Sequence, residues 1–224
     1  MERAYRNLGY VLVALLPIFI AGFWIPYFSE FPDFDASITT AVHIHAVLLF
    51  CFLGLLIVQP LAIRYKAFST HRILGKFSNV LMPFILILSV AMLSKEYHEH
   101  LASGASVTAA RNAEFLSAAQ LTLLATFYGL AIACIRKRDV SAHMRYIICI
   151  VLILLPAGLA RTLGYWFNVR QSSSQTLCLL LIDAFLIALI IFDKRRKVTA
   201  LPYIAALLAY IVIEACWVSL GRPV

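Results

Sequence analysis

Residues 43–60 read HIHAVLLFCFLGLLIVQP. From Ala46 to Val58 no side chain in this stretch carries a charge. The apolar run extends to about residues 39–63, and about 20 such residues suffice to cross a bilayer. In hydrocarbon a backbone must satisfy its own N–H and C=O groups, so the stretch predicts a transmembrane helix. It also raises a chemical question. An apolar span has no packing need for two imidazoles near one end and an amide near the other.

The rest of the chain has the same character. Of its 224 residues, 62% are hydrophobic and 13% charged, and the mean hydropathy is +0.89. A soluble domain so composed would lack the polar residues to cover its surface. Comparable runs occur at about 8–28, 73–94, 113–135, 142–167, 176–193 and 200–220. The first, about Leu8 to Tyr27, reads as a span rather than a cleavable leader, since no small-residue cleavage site follows it. The connections are short and no internal repeat is evident. The expectation is an all-α polytopic bundle of seven transmembrane helices forming one integral-membrane domain, residues 1–224.

Charge supplies the orientation. Arg3, Arg6, Arg64, Lys66, Arg72, Lys76, Arg136, Lys137, Arg138, Arg145, Lys194, Arg195, Arg196 and Lys197 are 14 of the 19 basic residues, and all fall on one side. Glu30, Asp33, Asp35, Glu96 and Glu99 fall on the other. By the positive-inside rule the N-terminus is cytoplasmic and the C-terminus outside, as expected in a bacterial cytoplasmic (inner) membrane. The net charge of +8 is thus a topological signal and implies no nucleic-acid partner. The implied partner is the lipid bilayer. A membrane-protein partner, a second copy of the chain and an unspecified small molecule stay open. The five cysteines all lie in apolar runs without a CxxC pair and read as small hydrophobes. Trp24, Tyr27, Tyr97, Tyr165 and Trp166 read as interfacial aromatics.

The polar residues within the spans fall into two layers. His45, Gln120, Arg161, Asp183 and Glu214 all lie on the order of 10 Å below the outer surface, at 1.5 Å of rise per residue. Charges at such depth face a bundle interior or a wet cavity. The expectation is that Arg161 pairs with Asp183, Glu214 or both, at the floor of a cavity walled by His45 and Gln120. His43 and His45 are two residues apart, about 200° around a helix, and so face apart. His45, Phe52 and Gln59 recur every seven residues and form one interior seam.

The inner layer rests on STHRILGK (69–76) and VSAHMRY (140–146). Ser69 or Thr70, and Ser141, are candidate N-caps, which puts His71 and His143 in first turns at one depth. Two imidazoles on two helices suit a haem b or a divalent metal ion, with Arg72 and Arg145 near haem propionates; anchoring of the helix ends is the alternative. His143 and Arg161 are 18 residues apart and share a face. His98 and His100, beside Glu96 and Glu99, read as a solvated loop able at most to hold a surface metal loosely.

In order, HIHAVLLF with Gln59, then HRILG, then HMRY with PAGLAR, then IDAFLIALIIFDKRRK resemble the motifs of a family of small bacterial multi-pass membrane proteins to which no activity is assigned. The residues carrying the resemblance are His43, His45, Gln59, His71, Arg72, Gly75, His143, Arg145, Arg161, Asp183 and Asp193, across about residues 40–200. The chain departs from that pattern at Leu201-Pro202, where the family often has His-Pro, and at Phe52, where Trp is expected. The resemblance implies a fold and a location and brings no activity. Four readings therefore stand: a redox protein whose haem or metal is held by histidines drawn from His43, His45, His71 and His143; a proton-coupled transporter using Arg161, Asp183 and Glu214; a metal-dependent membrane enzyme with an outer-facing cavity, where Glu214 or Asp183 serves as general base near a His45-bound metal; and an accessory or assembly subunit.

Overall fold

The computed structural model describes residues 5–34 and 38–220; Arg3 and Asp35 of the charge count lie outside them. Seven helices follow one another: α1 (Leu8–Trp24), α2 (Thr40–Arg64), α3 (Phe68–Ala102), α4 (Val107–Arg136), α5 (Val140–Phe167), α6 (Gln171–Arg195) and α7 (Leu201–Ser219). Only a short 3-10 turn, Phe28–Glu30, is added, and no strand occurs among the described residues. Helices α2 to α7 are each long and apolar enough to cross a membrane. Helix α1 is equally apolar but has 17 residues.

Several boundaries differ from expectation, among them the starts of α3 and α6, each five residues earlier, and most of all the α3–α4 connection. Hydropathy marks where lipid ends, and a helix does not have to stop there. Helix α3 continues through SKEYHEHLA to Ala102, so His98 and His100 are helical and not part of a loop. Helix α4 correspondingly starts at Val107, capped by the Ser106 hydroxyl, which accepts from the Ala109 N–H at 3.1 Å. The caps proposed on the inner side are also corrected. Ala67 precedes α3, which leaves Ser69 and Thr70 inside it. Asp139 caps α5 by accepting from the Ala142 N–H at 2.9 Å, which leaves Ser141 free to serve Arg145.

Three turns at one end of the bundle share a design. Lys66, Arg138 and Lys197 follow α2, α4 and α6 with φ of 61°, 61° and 56°. The next residue's N–H reaches back to Ala62, Cys134 and Asp193 respectively, closing the last helical turn. A basic residue thus stands where glycine is usual. Arg6 and Asn7 are held at this same end by Arg64, whose guanidinium donates to the Arg6 carbonyl at 3.1 Å.

Packing runs α1–α2–α3–α4–α5 and back to α1, a closed ring of five. Helices α6 and α7 pack together on the other side of α5, with α7 also touching α4. Helix α5 is therefore the hub. Between Arg145 and Pro156 only Ile147 and Leu154 escape full burial, as expected of a helix surrounded by others.

The α1–α5 crossing is the tightest contact. A Cβ built on Gly22 would lie 2.3 Å from the Gly158 carbonyl oxygen, and one on Gly158 3.1 Å from Phe19 Cα. Small residues let the backbones meet, and side-chain donors then bridge them: Thr162 Oγ1 donates to the Ile18 carbonyl at 3.0 Å and Trp166 Nε1 to the Ala21 carbonyl at 2.9 Å. Gly54, by contrast, has no atom within 4 Å of a built Cβ. Gly22→Ala should thus cost stability, about 1–3 kcal/mol by the general scale for overpacking, whereas Gly54→Ala should be neutral or slightly stabilising. Thermal unfolding of the two variants in detergent tests this, and equal midpoints would refute the close crossing.

Candidate functional site

The polar side chains sort onto two faces of α5. Arg145 and Arg161 are 16 residues apart, about 160° around the helix, and so point to opposite sides. His143 lies on the Arg161 side.

On the α6–α7 side sits a buried ion pair. Arg145 Nε donates to Asp193 Oδ2 at 2.6 Å, and both side chains are 0% exposed. The Tyr5 hydroxyl donates to Asp193 Oδ1 at 3.0 Å, and the Tyr203 hydroxyl donates to Tyr5 at 3.2 Å. Arg145 Nη1 also donates to the Ser141 carbonyl at 2.9 Å, and its guanidinium lies 5.6 Å from the Tyr5 ring centroid. Burial pushes the Tyr5 phenol up to about 12, so it stays a donor throughout the physiological range. This network joins the segment before α1 to α5, α6 and α7. It also corrects the expected role of Arg145, which serves Asp193 and is turned away from the histidines. Arg72 is exposed and donates to the Phe68 carbonyl of its own helix at 3.4 Å.

On the ring side, near the same end, His71 of α3 and His143 of α5 come within electrostatic range of one another. One of the two is anchored to a carbonyl. His143 Nδ1 lies 2.9 Å from the Ala131 carbonyl oxygen. Since a carbonyl only accepts, Nδ1 carries the proton and the neutral ring keeps its lone pair on Nε2. His71 lies beside the Gln59 backbone, and its buried Nδ1 has no partner. The Gln59 side-chain oxygen lies 3.9 Å from where a Cβ on Gly75 would stand, one turn along α3 from His71. Among the described residues no three His, Cys, Asp or Glu side chains converge as a metal site.

Above these groups the seam closes with aromatic rings. Phe52 is 2% exposed and packs edge-on to Tyr128 at 6.4 Å. Tyr128 in turn bonds Ser78 at 3.0 Å and donates to Asn79 Oδ1 at 2.9 Å. His45, one turn from the outer start of α2, is half-buried with its Nδ1 unpartnered. His43 faces elsewhere: its Nδ1 lies 3.0 Å from the Tyr27 hydroxyl, and its ring meets Phe34 at 4.4 Å. Gln120 is half-buried on α4.

The expected Arg161 cluster does not form. Arg161 donates to the Ala157 carbonyl at 2.8 Å and lies 5.0 Å from the Phe23 ring centroid, on the α1 side. It is crowded by protein yet keeps accessible surface, as a side chain in an open recess does. The carboxylate whose field reaches it is Glu96. Glu96 lies against Glu114, which accepts from His100 Nε2 at 3.2 Å. Asp183 and Glu214 instead sit between α6 and α7, within range of each other and of Tyr210, because those helices pack on the opposite face of α5. All five cysteines are free; Cys149 and Cys178 are buried, whereas Cys51 and Cys216 are exposed.

Sequence reasoning missed the Arg145–Asp193 pair, counting Arg145 among the basic residues of a loop. Two signals were present: Arg145 precedes the apolar face of Cys149, Leu152 and Pro156 by only one turn, and Asp193 is an acid immediately before a basic run. Breaking the pair from either side should strand a buried charge. Asp193→Leu and Arg145→Leu should each destabilise by about 3–5 kcal/mol, with the double variant well short of their sum. Additive losses in chemical denaturation would show that the two do not interact. No family model matches this chain, and no match was found among curated proteins or solved structures.

Proposed function

We propose that the chain is a seven-span redox protein of the bacterial inner membrane whose five-helix ring holds a histidine-ligated centre between His71 and His143, with haem b the better fit than a bare metal ion. The observation that carries this is that two imidazoles from two helices come within electrostatic range, His143 with its tautomer fixed and His71 with a buried, unpartnered Nδ1. In ligating histidines one ring nitrogen commonly donates to a carbonyl or carboxylate, which fixes the tautomer and leaves the other nitrogen to bind. His143 meets this through Ala131. A porphyrin brings its own equatorial nitrogens, so two imidazoles complete its iron. A bare ion would need a further donor, for which the Gln59 amide oxygen is the group at hand.

The topology assigned with this reading is N-terminus cytoplasmic and C-terminus outside. It is supported by the gathering of Arg6, Arg64, Lys66, Arg136 to Arg138 and Lys194 to Lys197 at one end of the bundle. Helix α1 is about 25 Å long at 1.5 Å per residue, a few ångströms short of the hydrocarbon core, and residues 25–30 extend it. The histidine pair then lies in the cytoplasmic half of the membrane.

Protein purified from cells supplied with haem should show a Soret band that shifts on reduction. His71→Ala and His143→Ala should each reduce the bound cofactor about tenfold or more, while His98→Ala should leave it unchanged. A colourless preparation free of transition metals by elemental analysis would refute the reading. Reporter fusions after Lys137 and at the C-terminus, expected in opposite compartments, check the orientation.

A further inference from the structure

We propose that Asp183 of α6 and Glu214 of α7 form a proton-binding dyad, two carboxyl groups that hold one exchangeable proton between them with the Tyr210 hydroxyl as their buried neighbour. The site is separate from the histidine pair, on the opposite side of α5, and stands whether or not that reading does.

Three observations carry it. First, Asp183 Oδ1 and Glu214 Oε1 are both buried and neither has a hydrogen-bond partner. Second, the Tyr210 hydroxyl is also buried and unpartnered on a side chain only 1% exposed, and it lies within the field of both acids. A phenol can donate to one carboxylate oxygen but cannot neutralise two charges. Third, the cations of the region are engaged elsewhere. Arg145 is bound to Asp193, and Arg161 points to the α1 side. The titratable group of α5 within range of Tyr210 is the buried Cys149 thiol, which is turned to the Pro202 carbonyl.

Two adjacent carboxylates in a medium of low dielectric cannot both ionise without a compensating cation, because like charges there repel strongly. One proton held by the pair removes one charge and turns one of the two carboxyls into a hydrogen-bond donor. Both residues are only half-buried, so neither carboxyl is sealed inside the bundle. A sodium ion is a poorer occupant, since two carboxylates and a phenol offer it few oxygens.

The test uses the full chain in detergent at neutral pH, treated with dicyclohexylcarbodiimide in choline chloride or sodium chloride. Only a protonated carboxyl reacts. Its O–H adds across one C=N bond, the proton goes to nitrogen and the oxygen bonds the central carbon. The resulting isourea rearranges to a stable N-acylurea without loss of atoms. One adduct per chain is expected, mapped to Asp183 or Glu214 and equal in the two salts. In parallel, infrared spectroscopy should show a protonated-carboxyl band that shifts on exchange into heavy water and is absent from the Asp183→Asn/Glu214→Gln double variant. A band without an adduct upholds the proton and places it beyond the reagent's reach. Two adducts in one chain, protection by sodium, or a wild-type spectrum with neither band nor adduct each overturn the proposal. Should the double variant not fold, the mapped adduct of the wild-type protein decides alone.

Discussion

The Arg145–Asp193 ion pair is the constraint around which the basic end of the bundle is arranged. Both side chains are removed from solvent, and a lone charge in that position would cost several kcal/mol. The pair survives because both of its members are hydrogen-bonded further: Tyr5 donates to one carboxylate oxygen and Arg145 to the other, and the guanidinium also donates to the Ser141 carbonyl. Satisfying the pair therefore dictates where four separate pieces of chain must meet. The segment before α1 must fold back, α6 must end where α5 begins, and α7 must start with Tyr203 against Tyr5.

Once α5 is held on that side, its other face is available for chemistry. The same helix presents Arg145 toward α6 and α7, and His143 and Arg161 toward the five-helix ring. Ionisable groups that a depth count puts in one layer are thereby kept apart. Arg161 answers Glu96 across the ring, while Asp183 and Glu214 face each other between α6 and α7. The aromatic layer of Phe52 and Tyr128 further separates His45 from His71 and His143.

How much of this was legible beforehand depended on which physical quantity each residue reports. Apolar runs report lipid contact, so all seven helices were visible, and α2 was placed to within a residue at each end. The same measure cannot see a helix that continues into water, which is why α3 ends well past residue 94 and His100 turns out to be helical and paired with Glu114. Seven-residue spacing reports a shared face, and it separated His43 from His45 as the side chains are placed here. Depth along a helix says nothing of azimuth, so Arg161 was assigned to acids on the wrong side of α5. Rotation from Arg145 would have exposed the error, had Arg145 been read as buried.

The network has a further consequence in the time domain of synthesis. Asp193 follows Arg145 by 48 residues and follows Tyr5 by 188. At roughly 5–20 residues per second, Tyr5 waits on the order of ten to forty seconds for its partner to leave the ribosome. For roughly the last two to ten seconds of that interval, the time taken to make 48 residues, Arg145 has no acid to meet and its guanidinium stays at the aqueous margin. The basic end of the bundle is thus sealed late, after α6 has returned, and the first aromatic residue of the described chain is among the last to find its place.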